Sequence, residues 1–139
     1  MARDLQVENI FNVLTANFPA QLIFAGIIDD RAKLLHFQKG KFPLMLPIDR
    51  QNALDVQLSL VWTISKQLED FAGPLVHTVL TFSDADVIVK QISTKLMLYV
   101  ICAKRSAPEI LDALNKLFRE TSGKLAEKDD YEEHEWSGQ

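Results

Sequence analysis

The 139-residue chain has one cysteine, Cys102, which excludes an internal disulfide. Set in the apolar run Leu96 to Ala103, it reads as a packing residue of a reduced, intracellular protein. Glycine is nearly as scarce, at five residues. Gly26 falls inside a predicted strand and Gly40 stands alone, so no loop carries the repeated glycines that cradle phosphates, which excludes a nucleotide hydrolase of that kind. The histidines, His36, His77 and His134, lack metal-ligand spacing and none neighbours Cys102. That speaks against a metal centre or a Cys-His nucleophile. No apolar run approaches the roughly 20 residues that span a bilayer. The first turns carry Asp4 and Glu8 in place of a basic-then-apolar export signal. Nor is there a basic excess: the formal charge is −4. Six carboxylates and one lysine between Glu127 and Glu135 contribute −5, so the remainder sums to +1 and offers no electrostatic footprint for nucleic acid. These absences predict a cytoplasmic protein with no cofactor, no membrane span and no nucleic-acid partner.

What is present is apolar. Hydrophobic residues make up 47% of the chain, enough for one core, expected over residues 1–126, with 127–139 as a flexible acidic tail of dense like charge. Residues Leu5 to Phe18 have helical spacing and end at Pro19. Gln21 to Ile28 and Ala32 to Phe37 flank the turn formers Asp29-Asp30-Arg31, a β-hairpin. Asp49 is a suitable N-cap for a helix running to Phe71, which Gly73-Pro74 terminates. Leu75 to Phe82, Val87 to Ile92 and Leu96 to Ala103 then form an antiparallel meander. Ser106-Ala107-Pro108-Glu109 is a capping box for a last helix that Gly123 should end.

The pattern also sets neighbours. Strand one places Leu22, Phe24 and Ile28 on one face and Ile23, Ala25 and Ile27 on the other, and strand five is likewise apolar on both faces. Both therefore belong in the middle of a sheet covered on both sides. Lys33 and His36 on strand two, and Lys90 and Gln91 on strand four, suit outer positions. The predicted fold is α+β: a five-stranded antiparallel sheet in the order 2-1-5-4-3, with the long helix on one face and the terminal helices on the other. Strand three is left as an open edge.

The long helix is the most informative segment. At about 100° per residue, Leu54, Val56, Leu58, Leu60, Val61, Trp62, Ile64 and Leu68 span an arc of about 240°, against a usual core-facing stripe of about 100° or somewhat more. Asp55, Ser59, Thr63, Lys66 and Asp70 form its polar strip. Such a helix must cover its sheet and something else, and the economical candidate is a second copy of itself. Trp62 sits at the border of the arc, where a core residue and an interface anchor look alike.

Candidate chemistry is thin. Asp29-Asp30 and Asp84-x-Asp86 have the oxygen ligands of a hard-metal site, but both fall in tight turns, where aspartate bonds its own backbone. Lys39, Lys41, Lys104 and Arg105 are scattered loop charges. Arg31, projected by a turn, is suited to bidentate carboxylate or phosphate contacts and is the candidate partner-binding residue.

The order helix, hairpin, long helix, meander, helix resembles the roadblock (dynein light chain) domain, a relative of the profilin-like and longin folds. The run Phe24-Ala25-Gly26-Ile27-Ile28-Asp29-Asp30-Arg31, then Gly40-Lys41-x-Pro43-Leu44, Gly73-Pro74 and Leu98-Tyr99-Val100, resembles most an uncharacterised archaeal branch of roadblock-like proteins. The resemblance covers roughly Leu5 to Phe118, leaves out the acidic tail and carries no catalytic residue. It implies homodimers or heterodimers in which long helices pair and third strands join two sheets. The sequence leaves either flank of the long helix open to the partner; the flank taken here is Ala53, Val56, Leu60 and Ile64, with Leu54, Leu58, Val61 and Leu68 left for the sheet, together with His77, Val79 and Thr81 on the open strand. The resemblance also implies binding to a Ras-like small GTPase as regulator or scaffold. The expected function is a non-catalytic dimeric adaptor; the alternative is a sensor holding a small molecule between sheet and helix, which a polar-lined pocket there would favour.

Because the tail lacks apolar periodicity, truncation after Ala126 should leave the melting temperature nearly unchanged. Thermal unfolding of the truncated and full chains, followed by circular dichroism, checks this.

Overall fold

The computed structural model describes residues 5–43 and 50–128. Asp49, and the acidic segment beyond Lys128, lie outside the described residues. In chain order the elements are α1 (Leu5–Asn17), β1 (Leu22–Asp29), β2 (Leu34–Lys39), α2 (Gln51–Lys66), α3 (Glu69–Ala72), β3 (Thr78–Thr81), β4 (Ala85–Gln91), β5 (Leu96–Ala103) and α4 (Ala107–Lys128). The sheet is antiparallel in the order β2-β1-β5-β4-β3, as the two-faced apolar strands predict.

Two apolar layers sandwich the sheet. On one side Val7, Ile10, Phe11 and Leu14 of α1 and Ile110, Leu111 and Leu114 of α4 pack on Ala25, Ile27, Ile88, Leu98 and Val100. On the other, Leu58 and Trp62 of α2 pack on Phe24, Ile28, Val87, Val89, Met97, Tyr99 and Ile101. Strict alternation fails once in β1. The register shifts between Leu22 and Phe24, and this bulge turns Leu22 toward α1 and α4 while Ile23 joins Phe24 and Ile28 beneath α2.

Four expectations about ends and faces need correction. The long helix does not reach Phe71: i→i+3 bonds from Gln67 N to Ile64 O and Leu68 N to Ser65 O tighten it, and the chain restarts as the single turn α3. Gly73, at φ 87°, ends that turn, and the Glu69 carboxylate pins the exit by accepting the Leu75 amide at 2.6 Å. At the last helix Gly123 is no terminus, because one mid-helix glycine costs only about 0.5–1 kcal/mol and α4 continues to Lys128. The first turn of α4 is capped from outside its own sequence: Asp86 of β4, buried, accepts the Ala107 amide at 3.1 Å. Lys90 is equally misleading as a sign of exposure. It is buried beneath α4, where its ammonium donates to Val76 O and lies 5.0 Å from the Phe118 ring centroid.

The centre of the sheet has one tight contact. Gly26 and Tyr99 face each other across β1 and β5, and a Cβ on Gly26 would lie 2.6 Å from Tyr99 Cζ. The glycine is there to let the Tyr99 ring lie over it. Gly26→Ala should therefore destabilise the protein by about 1–3 kcal/mol, the usual range for overpacking, read as a lower urea midpoint with unchanged slope.

Candidate interaction surface

Helix α2 divides its apolar arc between two environments. Asp55, Leu58 and Trp62 are buried against the sheet, with Leu54 packed partly against the same layer. Ala53, Val56, Leu60 and Ile64, the flank assigned to an interface, all face solvent; Leu60 is 55% and Ile64 62% exposed. Trp62 is thus a core residue. Leu68, expected on the sheet, is exposed instead, because α2 turns Asp55, Leu58 and Trp62 to the sheet and Leu68 lies on the wheel about 110° from their mean direction.

The apolar stripe continues past α2. Leu68 and Phe71, the latter 83% exposed, extend it, and Val76 and Phe82 bracket β3 with two more exposed apolar side chains. Among the described residues β3 pairs only with β4, so its outer hydrogen-bonding edge is open. Of the expected edge residues, Thr81 is exposed, whereas Val79 packs into the layer beneath α1 and α4 and offers only its backbone. His77 is half-buried with Nδ1 unpaired, and burial together with the nearby Lys90 charge holds its pKa below the ordinary value. A groove of about 350 Å³ lined by Leu68, Glu69, Pro74, Leu75 and His77 joins helix to edge strand. The structure thus brings the helix flank and the strand edge onto one continuous surface.

Arg31 is elsewhere. It is exposed in the β1–β2 turn, where the Asp29 carboxylate accepts the amides of Arg31 at 2.9 Å and Lys33 at 3.0 Å. Those bonds hold the Asp29 pKa below its ordinary value and commit the residue to turn geometry. Beside this turn lies an open cleft of about 210 Å³, lined by Asp29, Asp30, Trp62, Lys66 and Lys95 among others, at the end of the α2–sheet layer and not inside it. Asp86 points away to cap α4, so Asp84 and Asp86 do not converge either. Among the described residues no group of three or more His, Cys, Asp or Glu side chains is placed to hold a metal ion, and no helix is long and apolar enough to cross a membrane.

One polar feature escaped the sequence reading. Asp55, assigned to the polar strip of α2, is 1% exposed, and its Oδ1 accepts a 2.7 Å hydrogen bond from the Tyr99 hydroxyl. The clue is the spacing Asp55-x-x-Leu58-x-x-x-Trp62, which puts the carboxyl in line with two core residues. Burial raises the Asp55 pKa, and the bond from Tyr99 opposes part of that rise. Burial and the adjacent carboxyl also push the Tyr99 hydroxyl well above its ordinary value, so it stays protonated as the donor. The Tyr99 ring stacks on Phe24 at 6.0 Å and Phe24 on Phe37 at 5.7 Å, a row of rings running out to edge strand β2.

No protein-family model and no curated protein matches the chain by sequence. Solved structures do match. A roadblock/LC7 domain from Streptomyces avermitilis is 12% identical with a TM-score of 0.64, covering 88% of this chain and 98% of its own. Myxococcus xanthus MglB is 14% identical, TM-score 0.66, with 91% and 99% covered. An MglB in a tetrameric arrangement is 12% identical, TM-score 0.67, with 92% and 95% covered. At such identities the likeness shows the fold, and the fold is roadblock-like.

The raised pKa of Asp55 has a measurable sign. The protonated acid is favoured in the folded state, so its contribution to stability is fully present below about pH 4 and declines as pH rises through the folded pKa. Asn at this position keeps an acceptor for Tyr99 and has no proton to lose. The stability advantage of Asp55→Asn over the parent chain should therefore be larger at pH 7 than at pH 4, measured by urea unfolding at both.

Proposed function

We propose that this chain, on its roadblock-like fold, is a non-catalytic adaptor or regulator that works as a dimer and binds a Ras-like small GTPase. The observation that carries the reading is the unbroken apolar stripe Val56, Leu60, Ile64, Leu68 and Phe71 beside the open edge of β3. Three exposed apolar side chains at successive turns of α2, with Leu68 and Phe71 following it, are more than isolated surface leucines, and an isologous contact that pairs helix with helix and edge with edge would cover them. A homodimer satisfies this with one sequence; a related chain bearing the same stripe gives a heterodimer. The tetrameric arrangement of one MglB fits a surface that assembles further. The GTPase rests on the roadblock resemblance, and the partner side chain this chain offers it is Arg31, exposed on a turn ordered by Asp29.

The packing between α2 and the sheet favours this reading over the small-molecule sensor. That layer is filled by Phe24, Leu58, Trp62 and Tyr99, its buried carboxyl is already bonded to Tyr99, and the polar cleft lies open at its end. Catalysis lacks parts as well. The Cys102 thiol is buried and its pKa is pushed up to about 12, which disfavours a thiolate nucleophile, and one aspartate of each pair is already engaged, Asp29 in its turn and Asp86 as a helix cap.

Leu60→Glu puts a charge in the middle of the stripe and should convert a dimer into a monomer or aggregate, resolved by sedimentation at micromolar concentration. A monomeric parent chain would refute the dimer. Co-purification from the native cell should recover a small GTPase. Arg31→Ala should then abolish stimulated hydrolysis while sparing binding if the arginine is lent in trans. GTP turnover by the purified chain alone would refute the non-enzymatic reading.

A further inference from the structure

The orientation of α2 needs a cause. The apolar arc, from Trp62 round through Leu54, Val61, Leu68, Ile64 and Leu60 to Val56, is centred near Val61 and Leu68 at about 100° per residue. A helix steered by apolar burial alone turns that centre to the sheet. This one does not. The residues buried against the sheet are Asp55, Leu58 and Trp62, whose mean direction is about 110° away from the arc's centre by the same periodicity. The rotation buries a carboxyl from the polar strip and leaves Leu60 and Ile64 in solvent. Both changes are unfavourable for the isolated chain, so a specific contact must offset them.

That contact is the one between Asp55 and Tyr99, and the sheet is shaped to make it. Gly26 lacks the Cβ that would collide with the Tyr99 ring and hydroxyl, and Phe24 supports the ring from the side. In the layer beneath α2, Asp55 is the one buried charged side chain among the described residues. A partner at 2.7 Å is available in the observed rotation. With the arc's centre toward the sheet, Asp55 turns toward solvent and the Tyr99 hydroxyl is left buried without its acceptor.

We infer that the Asp55–Tyr99 hydrogen bond is the rotational key of α2, selecting the packing in which one apolar flank seals the sheet and the other is kept outside. Its value for assembly rests on the dimer proposed above, since the flank kept outside is the stripe of that dimer. Asp55 and Tyr99 are then positioning residues for an interface they do not touch. A single buried polar group that fixes register at some expense of stability is a known device in helical assemblies.

Trp62 reports the rotation without reference to assembly, because it is buried in the observed packing and turns outward in the other. With Trp136→Phe removing the second tryptophan, acrylamide quenching reads Trp62 alone. The double variant Asp55→Leu, Tyr99→Phe deletes both polar partners and orphans neither, so it should unfold cooperatively. It should nevertheless show several-fold stronger quenching, a red-shifted Trp62 emission and loss of the single oligomer expected of the parent chain in sedimentation. Asp55→Asn, which retains the acceptor, should keep the parent's quenching and assembly. Unchanged quenching in a cooperatively folding double variant would overturn the key. So would failure of that variant to fold, which would make the pair a requirement of the fold and not a choice between packings. A monomeric parent chain removes the dimer and leaves the quenching result to decide the rotation.

Discussion

A flat sheet can cover only part of a helix, and α2 has more apolar surface than one sheet can take. Every layer of the molecule answers to that limit. The face beneath α1 and α4 has two helices to share it and closes completely around Ile10, Leu98, Val100 and Leu114. The opposite face has α2 alone, so one flank of that helix is satisfied by Leu58 and Trp62 and the other is left exposed among the described residues. Excess apolar surface on the helix and an open strand edge are the two features on which the proposed assembly rests.

Strand order was legible because it depends on a local property. A strand apolar on both faces must be central, and both β1 and β5 carry that mark in their own residues. Helical periodicity groups Val56, Leu60 and Ile64 on one flank of α2, but which flank meets the sheet depends on the sheet and was not legible. What escaped were interactions between distant residues. Asp55 reads as surface until Tyr99, forty-four positions later, meets it. Asp86 reads as a turn former until the amide of Ala107 arrives, and Lys90 reads as an outward strand position until Phe118 covers it. The bulge that turns Leu22 shifts faces by a single residue, below the resolution of any periodicity argument.

Four acidic residues have structural tasks, two of them, Asp29 and Asp86, from the aspartate pairs weighed as metal ligands. Asp29 organises a hairpin turn, Asp86 caps a helix, Glu69 holds the chain after α3, and Asp55 orients α2. Each carboxylate satisfies hydrogen-bond donors that the fold would otherwise leave bare. Arg31, by contrast, is exposed on its turn, where its charge adds to the backbone bonds that keep Asp29 ionised.

The cap of α4 also bears on how the chain folds. Its donor and acceptor, Ala107 and Asp86, are separated by twenty-one residues that include all of β5. The first turn of α4 is therefore completed only after β4 and β5 have paired, since Asp86 reaches the helix from the strand beside β5. The helix and the meander form one cooperative unit, and local opening of the sheet at that corner frays the helix at its start. The last helix in the sequence is in this sense a readout of whether the sheet has closed.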